Sequence, residues 1–95
     1  MLIEKPIEKN QIVTIKLITG DELIAKTIDD DQNTFTFAKP LSVIMSDKGL
    51  AMLPYMLSVA ADDQIVVNKT HIICVAKPVP EVEKHYIQIT TGISL

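Results

Sequence analysis

Residues 12–45 alternate apolar and polar positions in three successive runs. Val13, Ile15 and Leu17 fall on one side and Thr14 and Lys16 on the other, the period of two that a half-buried strand requires. Gly20-Asp21 breaks the pattern, and a second run extends over about 22–29. Asp29, Asp30, Asp31, Gln32 and Asn33 then form a turn, because their short side chains hydrogen-bond nearby backbone. The third run opens with Thr-Phe-Thr-Phe from Thr34 and meets Pro40, which predicts an edge, a bulge or a sharp bend there. Short turns join neighbours in antiparallel fashion, so the three runs predict a meander whose first strand covers about 12–19.

Beyond Ser46-Asp47-Lys48-Gly49 the periodicity changes. A fourth strand is expected over about 50–60, with Leu50, Met52 and Met56 alternating with Ala51, Leu53, Tyr55 and Leu57. A strand apolar on both faces is buried on both, one face on the core and the other against a neighbouring subunit. Ala61, Asp62 and Asp63 turn the chain into a fifth strand over 64–75, whose polar Asn68-Lys69-Thr70 marks a tight loop or bend. Pro78 and Pro80 end the sheet. Pro80 suits the first turn of a helix, Glu81 and Glu83 suit its positive end, and Val82, Tyr86 and Ile89 recur at helical spacing. A short amphipathic helix is therefore expected over about 80–90. Residues 1–10, interrupted by Pro6, read as a short helical turn or an extended arm.

Composition adds one strong constraint. The 95 residues make a single domain, 47% of them hydrophobic and only 22% charged. Burial in so small a chain is limited by surface-to-volume scaling, so self-association is expected to cover the remaining apolar surface. No run of about 18 apolar residues exists for a membrane span, and the N-terminal MLIEKPIEKN, with acidic residues and no apolar core before a small-residue cleavage site, does not read as a signal peptide. The single cysteine, Cys74, excludes an internal disulfide and fits a cytoplasmic protein. A net charge of −3 argues against broad attraction to nucleic acid, while leaving room for a local basic patch.

Val13, Ile15, Leu17, Gly20, Leu23 and Asp31 together resemble the first motif of the Sm and Sm-like (LSm) family, with the aspartate eleven residues beyond the glycine. Ile65, Val67, Asn68-Lys69 and Ile72 resemble the second. The resemblance covers about 12–75, and the chain looks like a divergent phage or marine-metagenome type. It implies an all-β fold, a five-stranded, strongly bent antiparallel Sm-like (SH3-like) barrel over about 12–76 followed by the short C-terminal helix. It further implies a homo-oligomeric ring of about five to seven subunits, the small end favoured, closed by pairing the free edge of the fourth strand with the fifth strand of the next subunit. Single-stranded RNA would meet Asp31, Asn33, Phe35, Asn68, Lys69 and His71 in loops facing the pore. The chain departs from the family where Phe35 replaces an asparagine, with Asn33 offset by two, where Asn68-Lys69 replaces Arg-Gly, and where Ala25 replaces glycine. The alternative is a structural or protein-interaction ring, an adaptor of phage origin in a host cytoplasm, without RNA binding.

The remaining chemistry is sparse. Clustered Asp29-Asp30-Asp31 suits a hard cation, but adjacent residues cannot all face one ion, and a solvated turn is the preferred reading. Asp31 has a second reading, implied by the resemblance, as the brace of a base-binding loop. Lys69 would meet phosphate, Asn68 a base edge, and His71 would stack on a base, against the alternative of an ordinary polar hairpin. Phe35 and Phe37 would stack bases or, preferably, pack the core. Cys74, flanked by Ile72, Ile73 and Val75, reads as a buried inert thiol, and His85 as a surface residue. No phosphate-binding glycine loop, catalytic triad or carboxylate pair is recognisable, so no enzymatic activity, cofactor or metal is expected.

Overall fold

The computed structural model describes residues 7–60 and 62–92. Its first three strands follow the alternation: β1 (Ile12–Leu17), β2 (Glu22–Asp30) and β3 (Thr34–Ser46). Val13 and Ile15 pair with Ala25 and Leu23, so both strands send the same apolar set to one face. Gly20 provides the tight first turn at φ +95°, a conformation that side chains resist. The expected lead-in at 1–10 falls largely outside the described residues; within them, Glu8 to Gln11 form a turn whose Gln11 N–H donates to the Glu8 carbonyl at 3.2 Å.

The second half differs from the expected five strands. β4 (Gly49–Pro54) stops at Pro54, and none of the described residues from there to Asp63 is strand. Proline lacks the N–H that would continue the ladder, so the fourth strand does not run over 50–60. Nor is it buried on both faces in the single chain: Leu50 and Leu53 are half exposed, and Leu57 is 90% exposed. The expected fifth strand divides into β5 (Gln64–Asn68) and β6 (Ile72–Ala76), with Lys69–His71 forming one turn of 3-10 helix between them. The described residues thus form six strands.

All pairings are antiparallel, in the order β4-β3-β2-β1-β6, with β5 also on β3. The outer edge of β3 is shared: residues 34–38 hold β5 and residues 41–46 hold β4. The division falls at Lys39-Pro40, where Lys39 adopts φ +52°. Pro40 thus bends the strand at its outer edge without ending it. Among the described residues the hydrogen-bonded sheet does not close on itself. The 3-10 turn instead connects β6, at one end of the sheet, covalently to β5, which shares the β3 edge with β4.

Two apolar clusters cover the two faces. The inner one gathers Val13, Ile15, Leu17, Leu23, Ala25, Phe35 and Phe37, with Ile65, Val67, Ile72 and Val75 packed against it. The second holds Ile24 and Leu41 under Tyr86, the buried residue of helix α1 (Pro80–Thr91). Pro80 starts this helix and Gly92 ends it at φ +73°, its N–H donating to the Gln88 carbonyl. The Tyr86 hydroxyl donates to the Lys39 carbonyl at 2.7 Å, and the Lys39 ammonium reaches the Thr90 carbonyl at 3.4 Å. The residue at the β3 bend therefore also secures the helix.

Cys74 proves exposed, not buried. A register shift between Lys16 and Leu17 in the β1–β6 ladder leaves Ile72 and Val75 facing the core, three residues apart, and turns Ile73 and Cys74 outward. No helix among the described residues is long and apolar enough to cross a membrane.

Candidate nucleic-acid interface

The turn between β2 and β3 is organised by one side chain. The Asp31 carboxylate accepts the Asn33 N–H at 2.9 Å, the Thr34 N–H at 2.8 Å and the Thr34 hydroxyl at 3.0 Å. These donors, the Thr34 N–H foremost, hold its carboxyl below its ordinary 3.8. An aspartate at the head of a short turn does this because its carboxylate reaches the N–H groups that follow.

The 3-10 turn is organised in a parallel way. The Asn68 amide oxygen accepts both the N–H and the hydroxyl of Thr70 at 3.0 Å. Thr34 lies opposite Asn68 in the β3–β5 ladder, and the Lys69 N–H donates to the Asn33 carbonyl at 2.8 Å. Two turns far apart in sequence therefore form one surface, carrying Asp31, Asn33, Asn68 and Lys69.

Phe35 lies beneath that surface, only 7% exposed, its ring stacked on Phe37 with centroids 5.3 Å apart. The core reading holds for both rings in the free chain, and Phe35 is not an open stacking platform there. The Lys69 ammonium sits 4.6 Å above the Phe35 centroid and forms an ion pair with Asp30. The Asp29 carboxylate accepts the Asp30 N–H. The three neighbouring aspartates thus turn to three different partners.

His71 stands apart. Its backbone carbonyl accepts the Ile18 N–H at 2.9 Å, and the residue lines an apolar groove with Ile18, Thr19, Met56 and Val66. Five of the six sequence-derived residues thus gather at the joined turns, while His71 borders the adjoining groove. Asp30 and Thr34 belong to the site and were not singled out for it. Thr34 carries a signal in the sequence, since a threonine three residues after a turn aspartate is a ready donor. Asp30 carries none, because its pairing with Lys69 depends on the β3–β5 register. Compared with known proteins, the chain matches no protein-family model and no curated protein by sequence.

Proposed function

We propose that the chain forms an Sm-like homo-oligomeric ring of about five to seven subunits, its bent sheet serving as the barrel, and binds single-stranded RNA where the two turns meet. The observation that carries the RNA reading is the Lys69 N–H to Asn33 carbonyl bond, which makes the two candidate loops one surface. A lysine, an amide and a braced turn on one surface supply phosphate and base-edge contacts, and repetition around a ring multiplies them. The barrel reading is supported by the 3-10 turn that links β6, at one end of the sheet, to β5 on the opposite β3 edge. Assembly is supported by the outer edges of β4 and β6, unpaired among the described residues, and by apolar side chains left in water, Leu57 at 90% and Met45 at 75% exposure.

The second reading, a protein-interaction ring without RNA, draws on a specific observation too. Asp30 pairs with the Lys69 ammonium and so neutralises it, and the neighbouring Asp31 carboxylate adds to the negative charge there. Native mass spectrometry with and without a uridine-rich oligomer separates the readings. A ring that gains RNA mass, and loses that gain in Lys69→Ala, supports the first. A ring that ignores RNA leaves the adaptor. A monomer overturns both, and Leu57→Asp is expected to dissociate the ring.

A further inference from the structure

Asp30, Phe35 and Lys69 form a stack whose order has a functional consequence. Asp30 ends β2 directly opposite Phe35, and Phe35 in turn lies opposite Val67, two residues before Lys69. The ladder therefore sets a carboxylate, an aromatic ring and an ammonium beside one another. The ammonium covers the ring and is held there by the carboxylate. With the ion pair in place Phe35 is 7% exposed, its ring stacked on Phe37 and the Lys69 ammonium lying over it.

We infer that Asp30 is a latch holding Lys69 as a lid over Phe35, and that a nucleotide opens it, its phosphate taking Lys69 and its base taking the place of the ammonium on the ring. The inference rests on the RNA reading above and names how that site is regulated. The Lys69 and Asp30 side chains are 32% and 33% exposed, and an ion pair so open to solvent is a weak restraint that a phosphate can exchange for. The two halves of the ligand are both needed. A phosphate alone draws Lys69 away and leaves an apolar ring facing water. A base alone must displace an ammonium that a carboxylate retains, and the cation on the ring is itself favourable. A nucleotide satisfies the charge and covers the ring together, with base stacking in place of the cation.

Fluorescence anisotropy tests this with a labelled uridine-rich RNA and, as control, an abasic ribose-phosphate oligomer of equal length. Asp30→Asn removes the latch and keeps the shape; Asp29→Asn makes the same charge change without touching Lys69. Asp30→Asn is expected to bind the uridine-rich RNA about fivefold more tightly, with a clearly smaller gain in Asp29→Asn and in the abasic oligomer. Equal gains in the two variants would reduce the effect to bulk charge and overturn the latch. An equal gain for the abasic oligomer would remove the base from the argument and overturn the exchange on the ring. A ligand-free measurement separates this inference from the RNA reading. In wild type the Lys69 Hε protons are expected upfield, in the Phe35 ring current, and Asp30→Asn should return them toward an exposed lysine. Unmoved protons overturn the latch whatever RNA does. Shifted protons with no RNA bound by any variant overturn the RNA reading, and the nucleotide as opener with it.

Discussion

The two apolar clusters are built on different plans. Every buried residue of the inner cluster lies between Val13 and Phe37, so three successive strands make it from local alternation. The second draws Ile24, Leu41 and Tyr86 from across the chain and depends on one helical side chain for its cover. The first is a core that a meander makes for itself. The second exists only once the helix has docked.

The strongest challenge to this difference is Phe37→Ala. Phe37 is fully buried, and its truncation is expected to cost about 3–5 kcal/mol and unfold strands and helix together in a denaturant titration. Tyr86→Phe is milder. It removes the hydroxyl bond to Lys39 and is expected to cost about 1 kcal/mol. Hydrogen exchange should then rise in Pro80–Thr91 and stay unchanged in Ile12–Leu17; a uniform rise would show one cooperative core in place of two. Burial raises the Tyr86 hydroxyl above its ordinary 10.0, against a lesser opposite pull from the Lys26 backbone. Its contribution is therefore complete below pH 10 and declines as pH rises beyond it, a slope that Tyr86→Phe should lack.

Thr27→Val acts in the opposite direction. Thr27 is 1% exposed, and its hydroxyl has no hydrogen-bond partner among the described residues. The isosteric apolar side chain is expected to raise stability by about 1 kcal/mol, read as a higher denaturation midpoint. The smallest effect belongs to Asp31, which is outside both clusters. Its carboxyl is held below the ordinary 3.8, so the contribution is present above pH 3.8 and lost as pH falls through its folded value. Asp31→Asn should flatten the acid limb of the stability profile there.

The inner cluster was legible because Val13, Ile15, Leu17, Leu23 and Phe37 follow a period of two, and Asp31 because turn chemistry is local. The second half was harder to read. Residues 50–60 are apolar at nearly every position, so periodicity could not reveal that Pro54 ends the strand and leaves Leu57 in water. The polar Asn68-Lys69-Thr70 indicated a bend, yet not that it would become a 3-10 turn separating two strands. Cys74 was misread because a one-residue register shift reversed the faces of β6. Tyr86 on Lys39 and Lys69 on Asp30 join residues 47 and 39 positions apart, and only the folded register brings them together.

The β1–β6 ladder also has a consequence for synthesis. Ile15 pairs with Val75, and the helix follows later still. At ordinary translation rates of about 5–20 residues per second, the outer edge of β1 waits roughly 3–12 s for its partner to emerge. During that interval a nascent chain exposes a strand edge beside its most apolar residues, where neighbouring chains on a polysome would pair with it. Lys16, exposed one residue before the end of that strand, sets a charge in the path of such mispairing before the native partner arrives.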